Sequence, residues 1–505
     1  MFLKVYQMLV PFLMRTAMIY IMGVQYLGLN GLFASIIQML SLAELGVGHA
    51  MVFAMYKPIA QDDGKTICAL MKLYRRYYRI IGVVIGASGL LLMPLVPHLI
   101  SGEIPGELNI YVLYLLNLAS TVLTYWLFAY KNCLLQAHHR NDIVSWVMAC
   151  TYTVQWCIQL AVLLVWRNYY LYMVVALVTQ VVNNITSAII ASRMYPNYEP
   201  VGELDREDVL VINQKIRDFF TAKLGSVVLK SSDSIVISAF LGLTVLAIYQ
   251  NYFFIISSVI SIIEIILSSM MAGLGNSYIL ESREKNFRDL EKFSFLFLWL
   301  TGMCTCCFVG MYQPFMEIWV GRELMLGMGE VVCFAAYFFV YTLNRLLNVY
   351  KDAAGLWHED RFRPMVTALT NILLNLLLIK FWGVYGVLLS TVISMVFVGM
   401  PWILWNLFTN FFEKKMLEGY LNQLLRQVVA TVTAAAVVCL ICRYIVANVW
   451  LKLIACGIAS VVIPNVLFFV LFSRTRQFRM GVQFADQITK GRLHLLRRIF
   501  GTKPR

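Results

Sequence analysis

The sequence predicts an all-α polytopic membrane protein with about fourteen transmembrane helices. Of its 505 residues, 60% are hydrophobic and only 13% are charged, whereas soluble domains carry roughly 25% charged residues. Apolar runs of about 20 residues recur along the whole chain, and each is long enough to cross a hydrocarbon core roughly 30 Å thick. A transmembrane β-barrel is excluded because its strands would alternate apolar and polar residues over short segments.

The apolar segments can be delimited to within a few residues. They cover residues 2–24, 30–56, 77–97, 109–130, 143–166, 169–192, 219–241, 244–273, 293–312, 327–349, 364–381, 384–409, 427–447 and 450–473. The first segment is too long for the apolar core of a secretion signal, so we interpret it as a membrane span.

Lys and Arg are concentrated in every second loop. The loops after the second, fourth, eighth, tenth and twelfth spans are basic, whereas the alternate loops are short and nearly free of positive charge. Because basic loops stay in the cytoplasm, this pattern predicts a membrane protein with both termini cytoplasmic. The net charge of +14 reflects this bias, and we expect no nucleic-acid partner.

The longest cytoplasmic loop is polar and divides the spans into six and eight. We therefore predict a six-helix lobe at 1–193, a cytoplasmic linker at 194–218 and a second six-helix lobe at 219–409. Two additional helices occupy 410–473, and a basic cytoplasmic tail occupies 474–505.

An internal repeat supports two related lobes. "YLGLNGLF" at 26–33 and "FLGLTVLAIY" at 240–249 are each interpreted as a turn that leads into a long span, which matches Gly28 with Gly242. Chance likeness between glycine-containing turns remains the alternative.

A few charged residues lie inside predicted spans, where they cost several kcal/mol by most measures and normally face a cavity or the bundle interior. They are Arg15, Glu44, His49, Lys230, Asp233, Glu264 and Arg345. His49 and Arg345 are near the cytoplasmic end and could extend to water. We interpret all of these residues except His49 as candidates for substrate binding or ion coupling.

The seventh span concentrates these charges on one side. At 100° per residue, Lys223, Lys230, Asp233 and three serines fall within a sector about 140° wide. This polar stripe predicts a surface that lines something polar. Alternatively, Lys230 and Asp233 form a structural ion pair with each other, since they are three residues apart.

Other chemistry is not indicated by the sequence. We find no phosphate-binding loop of the Gly-x4-Gly-Lys-Ser/Thr type, no His/Cys cluster with metal-ligand spacing and no Ser-His-Asp pattern. We therefore expect no cofactor, no metal and no enzymatic activity, while coupling to H+ or Na+ stays open.

Residues 26–82, including "SLAELGVGHA" at 41–50, resemble the N-terminal region of bacterial polysaccharide biosynthesis flippases. These form the Wzx-like branch of the multidrug/oligosaccharidyl-lipid/polysaccharide (MOP) superfamily. "SSDSIVIS" at 231–238 and the fourteen-span plan match as well, so the resemblance covers nearly the whole chain.

The resemblance implies a MATE-type fold with two six-helix lobes and a cavity between spans 1, 2, 7 and 8 that opens alternately to each side. The implied substrate is a polyprenyl-diphosphate-linked oligosaccharide for O-antigen, capsule or exopolysaccharide. Arg15 and Lys230 would attract its diphosphate, and we assign Glu44, Asp233 and Arg345 to the same predicted cavity. Asp233 and Glu264 become candidates for ion coupling. Membrane lipids and other polysaccharide-assembly proteins are the implied partners.

Four alternatives remain. A peptidoglycan-precursor flippase shares the fold and span count, and an ion-coupled antiporter of drugs or organic cations belongs to the same superfamily. A membrane polymerase or ligase would need a large extracytoplasmic loop, which the sequence lacks. A scaffold that transports nothing would leave the charged stripe without a purpose.

Overall fold

A computed structural model describes residues 2–44, 46–102, 104–105 and 108–488. Within these ranges the chain forms α-helices joined by short turns, with no β-strand. The prediction of an all-α polytopic protein is therefore confirmed.

Sixteen α-helices follow one another in the described part of the chain. They are α1 (Phe2–Ile21), α2 (Val24–Leu40), α3 (Val47–Ala60), α4 (Gly64–Leu92), α5 (Ile110–Trp126), α6 (Tyr130–Ala137), α7 (Asn141–Val165), α8 (Tyr169–Met194), α9 (Arg206–Leu280), α10 (Arg283–Trp319), α11 (Met328–Ala353), α12 (Arg363–Ser394), α13 (Met400–Asn410), α14 (Lys414–Tyr444), α15 (Val449–Phe472) and α16 (Arg476–Ile488). Each of the fourteen predicted spans coincides with helical structure.

Nine continuous helical stretches in the described residues are long and apolar enough to cross a membrane, or ten if the bent pair α5 and α6 counts as one span. Two of these stretches are interrupted by a glycine with non-helical backbone angles, Gly242 in α9 and Gly383 in α12. Each of the two can therefore supply two spans. The shorter helices α1, α2 and α3 account for the first two predicted spans.

The chain separates into two compact units. The first comprises Met1–Gln250 and Pro364–Gly383, and the second comprises Asn251–Arg363 and Val384–Arg505. Helices α9 and α12 each contribute to both units. The predicted basic tail covers residues 474–505, and its part from residue 489 onward lies outside the described residues.

Close approaches between helices hold the first unit together. Gly82 and Gly89 of α4 lie against Trp126 and Leu118 of α5, where an added Cβ would come within 2.3 and 2.4 Å of those side chains. The hydroxyl of Tyr114 donates a hydrogen bond to the carbonyl of Gly89 at 3.0 Å. The two helices therefore pack closely because glycine leaves room for the larger side chains opposite.

Two glycines with positive φ mark corresponding turns. Gly23 (φ 113°) separates α1 from α2, and Gly242 (φ 87°) interrupts α9. The sequence-based match of Gly28 with Gly242 is therefore wrong, because Gly28 lies inside α2. Gly28 instead marks a helix crossing, since a Cβ at this position would lie 2.1 Å from the carbonyl oxygen of Leu243.

We expect Gly28→Ala to destabilise the protein by about 1–3 kcal/mol, because the added methyl group meets the backbone of α9, which cannot rotate away. Thermal unfolding of the purified protein in detergent measures the effect. Gly275→Ala is the matched control, because no atom lies within 4 Å of its added Cβ, and alanine favours a helix over glycine. Equal melting temperatures for the two variants would contradict the close crossing.

An aromatic cluster anchors the C-terminal helices to the second unit. Phe295 of α10 packs with Phe468 and Phe472 of α15 and with Phe478 of α16. Next to it, Cys306 of the "CTCC" sequence is fully buried among alanine, valine and cysteine side chains from α14 and α15. This cysteine therefore serves as a small apolar residue in a helix contact.

Candidate functional site

The polar stripe on α9 changes its surroundings along the helix. Ser226 and Lys230 are exposed, whereas Asp233, Ser234 and Ser238, which lie nearer to Gly242, are buried. The side chains predicted to line one polar surface are thus divided between an exposed half and a packed half.

Asp233 lies in a buried group of amide and hydroxyl side chains. Its Oδ1 accepts a hydrogen bond from Nδ2 of Asn375 at 2.6 Å, and the same amide also donates to Asn371 Oδ1 at 3.2 Å. Ser232 donates to Asn371 Oδ1 at 3.3 Å. Asp233 is 6% exposed and both asparagines are fully buried. A buried carboxylate of α9 is therefore hydrogen-bonded to an amide of α12.

Glu44 lies where the second predicted span is broken. Residues Ser41–Glu44 form a 3-10 turn, and Gly46 follows with a left-handed backbone. The two carboxylate oxygens accept hydrogen bonds from the hydroxyls of Tyr78 at 2.8 Å and Tyr125 at 2.7 Å. Tyr74 in turn donates to the hydroxyl of Tyr78 at 2.6 Å. The break thus directs an acidic side chain into the interior of the first unit.

A polar cavity of about 500 Å³ surrounds this carboxylate. Its walls come from α3 to α8 and from the start of the predicted seventh span, which contributes Lys223. The sequence placed Glu44 in a cavity between spans 1, 2, 7 and 8, whereas the described lining of this cavity has no residue from span 1 or span 8. The substrate role assigned to Glu44 therefore stays a prediction.

Glu264 and Arg345 lie together in the second unit, although the sequence predicted separate roles for them. Arg345 Nε is 3.2 Å from Glu264 Oε1, and the two side chains are 42% and 39% exposed. Tyr341 also donates to Glu264 Oε1 at 3.4 Å. Each residue is therefore the counter-ion of the other on a partly exposed surface.

Arg15 lies in the middle of α1, partly buried, and interacts electrostatically with Tyr172 of α8. Tyr172 stacks on Tyr169, with ring centroids 6.0 Å apart. Arg15 precedes the turn at Gly23 by eight residues, and Asp233 precedes the turn at Gly242 by nine. Counted from these two glycines, the position of Asp233 is closer than that of Lys230 to the position of Arg15.

Sequence reasoning missed several residues that complete these sites. Tyr74 and Tyr78 are four residues apart on α4, a spacing that places both on one helix face, but nothing in the sequence connects them to Glu44. Asn371 and Asn375 show the same spacing on α12, but nothing in the sequence connects them to Asp233. In the part of the chain that the structure describes, no group of three or more His, Cys, Asp or Glu side chains is placed to hold a metal ion.

The fold was compared with known proteins. No protein-family model and no curated protein matches the sequence. A solved structure of the lipid II flippase MurJ in an inward closed conformation matches 93% of this chain and 98% of its own, with a TM-score of 0.68 and 13% identity. An inward-facing multidrug resistance MATE transporter of the MOP superfamily matches 82% of this chain and 96% of its own, with a TM-score of 0.61 and 13% identity. A MATE structure in a bent conformation matches 83% of this chain and 94% of its own, with a TM-score of 0.54 and 12% identity. The chain therefore has the all-α, multi-pass fold of these membrane transporters.

Proposed function

We propose that the protein carries a polyprenyl-diphosphate-linked oligosaccharide from the inner to the outer leaflet of the bacterial plasma membrane, for surface polysaccharide synthesis. The observation that carries the proposal is the extent of the fold match. The flippase of a lipid-linked precursor matches 93% of the chain, whereas the two drug-transporter structures match 82% and 83%. This difference favours a lipid-linked substrate over a drug or organic cation. The proposed activity is transport by alternating access, without a covalent step.

The charged side chains suggest two roles, which are diphosphate binding and ion coupling. The guanidinium of Arg15 and the ammonium of Lys230 suit a diphosphate, because charge-assisted hydrogen bonds to phosphate oxygens are strong. Asp233 is one candidate for ion coupling, since its carboxylate is buried and accepts a hydrogen bond from the amide of Asn375. Glu264 is the other candidate, and its carboxylate pairs with Arg345. The coupling ion in this proposal is H+ or Na+.

A peptidoglycan-precursor flippase is the second candidate, and the likeness to a lipid II flippase favours it specifically. The resemblance of residues 26–82 to the polysaccharide branch favours the first candidate. The two differ in substrate and share the mechanism, so the same assay with two lipid-linked glycans separates them.

Vesicles that contain the purified full-length protein provide the test. We expect a fluorescent polyprenyl-diphosphate oligosaccharide to become accessible to a membrane-impermeant quencher faster than in protein-free vesicles. Deletion of the gene should also cause the lipid-linked glycan to accumulate on the cytoplasmic leaflet. Normal outward exposure of the glycan in the deletion strain would contradict the proposal, and faster transfer of a lipid II probe would favour the second candidate.

We expect Lys230→Ala to reduce flipping by about tenfold or more, since one charge-assisted contact to phosphate contributes roughly 1.5–3 kcal/mol. The protein should insert and unfold like the wild type, because Lys230 is exposed. Lys285→Ala is the matched control, because it also removes an exposed lysine. Lys285 pairs with Glu281, four residues before it in the chain. Full activity of Lys230→Ala would leave the residue with a structural role only.

A further inference from the structure

The cavity around Glu44 lies entirely within the first unit. Its volume of about 500 Å³ falls in the range of roughly 300–1,000 Å³ that small-molecule sites occupy. His49 and Gln136 line it and are themselves exposed, so the cavity opens on their side. Glu44 lies at its inner wall, held by two tyrosine hydroxyls. A ligand can thus enter at one side and meet a fixed carboxylate.

One residue of the cavity lining carries an acceptor without a partner among the described residues. Oδ1 of Asn132, on α6, is buried and has no hydrogen-bond partner among the described residues. Buried polar atoms are nearly always paired, because an unpaired one loses its hydration without compensation. Asn132 lines the cavity, so a hydrogen-bond donor bound there would complete it. This atom therefore points to a ligand that carries hydroxyl or amide donors.

The charges of the lining favour an uncharged ligand. Glu44 supplies one negative charge and Lys223 supplies one positive charge. Both side chains interact electrostatically with His49. Because the formal charges of the lining cancel, the cavity attracts neither a diphosphate nor an organic cation. The remaining polar groups are amides and hydroxyls, including Gln180, which offer both donors and acceptors.

We propose that this cavity binds one uncharged sugar residue of the transported glycan, such as a hexose or an N-acetylhexosamine. Sugar hydroxyls would donate to Asn132 Oδ1 and to Glu44, while the partly exposed ring of Tyr152, which also lines the cavity, would pack on the apolar face of the sugar ring. The inference rests on the proposed function, and it adds a neutral subsite to the sites that Arg15 and Lys230 are proposed to provide for the diphosphate.

Saturation-transfer NMR on the purified full-length protein in detergent tests the inference. The probes are methyl α-glucopyranoside and methyl N-acetyl-α-glucosaminide, with inorganic pyrophosphate and tetraethylammonium as charged competitors. We expect saturable binding of at least one glycoside and no displacement by either competitor. Absence of glycoside binding, or displacement by tetraethylammonium at equal concentration, would overturn the inference.

Substitutions test whether the glycoside binds in this cavity. Asn132→Leu keeps the size of the side chain but removes the acceptor, so we expect about tenfold weaker glycoside binding. Ser187→Ala is the matched control, because Ser187 Oγ is also buried without a partner among the described residues but does not line the cavity. Gln136→Ala, at the exposed edge, is a second variant that should fold normally and bind more weakly. Equal effects of Asn132→Leu and Ser187→Ala would overturn the assignment.

The flipping assay separates this inference from the proposed function. If the wild type flips the lipid-linked glycan but binds no glycoside, the sugar subsite is wrong and the function stands. If it binds glycosides and Asn132→Leu weakens that binding, but no lipid-linked glycan is flipped, the cavity stands as a sugar site and the proposed function is wrong.

Discussion

Asp233→Asn is expected to lower the initial rate of glycan flipping by at least about tenfold, with little change in the melting temperature. The substituted amide has the same size, and its oxygen can still accept the hydrogen bond that Asn375 donates at 2.6 Å to Asp233. The contact between α9 and α12 is therefore kept while the negative charge is removed. Interactions with a charged group contribute roughly 1.5–3 kcal/mol, which corresponds to a tenfold to hundredfold change in rate.

The measurement compares flipping with and without an imposed H+ or Na+ gradient. If Asp233 couples transport to one of these ions, the wild type responds to that gradient and Asp233→Asn responds to neither. Ser232→Ala is the control on the same helix, because its hydroxyl makes only neutral contacts in the structure, to the carbonyl of Leu229 and to Asn371 Oδ1, each at 3.3 Å. A variant that flips at the normal rate and keeps its gradient response would return Asp233 to a purely structural role.

The sequence allowed the membrane spans to be predicted because a span is a local property. Each segment must hide its backbone polar groups within itself, so an apolar run of sufficient length predicts a helix without knowledge of its neighbours. The two residues at which the long helices α9 and α12 are broken, Gly242 and Gly383, coincide with predicted loops for the same reason.

Positions that depend on a neighbouring helix could not be predicted in this way. Gly23 and Gly28 are equally plausible as turn residues, and only the approach of Leu243 to Gly28 distinguishes the crossing from the turn. The partners of Glu44 illustrate the same limit. Tyr78 and Tyr125 are 34 and 81 residues away from it in the chain, and no spacing rule connects them.

The seventh span illustrates a partial success. Helical geometry puts Lys230 and Asp233 three residues apart on one side of α9, but it carries no information about what packs against each side chain. The structure places Lys230 in an exposed position and Asp233 in a packed one. The burial of each side chain therefore depends on what packs against it, which the spacing of the two residues does not reveal.

The largest loss of stability is expected at Asp360, in the segment between α11 and α12. Its carboxylate is 2% exposed and binds Arg363 through both oxygens, at 2.7 and 2.8 Å. Lys351 Nζ lies 3.2 Å from the same carboxylate, and Asn406 of α13 donates to it at 3.2 Å. Arg363 also reaches Asn348 of α11 at 2.7 Å. One buried anion therefore ties α11, the start of α12 and α13 together.

We expect Asp360→Ala to lower the free energy of unfolding by about 3–5 kcal/mol, because it leaves the guanidinium of Arg363 buried without its counter-ion. Thermal unfolding in detergent, followed by tryptophan fluorescence, measures the loss. Lys351 keeps its contact with Asp352 at 2.7 Å, so Arg363 should account for most of the effect. The double variant Asp360→Leu with Arg363→Met removes both charges, and we expect it to recover most of the lost stability, because an apolar pair of similar size carries no desolvation penalty.

The exposed pair of Arg322 and Glu317 supplies the control. Arg322 is 83% exposed in this pair, so Arg322→Ala should change the stability by less than about 1 kcal/mol. A double variant at 360 and 363 that is no more stable than Asp360→Ala alone would mean that the carboxylate acts through Asn406 or Lys351 rather than through Arg363. In that case Asn406→Leu should reproduce the loss, because the amide is the only contact that Asp360 makes with α13 among the hydrogen bonds described above.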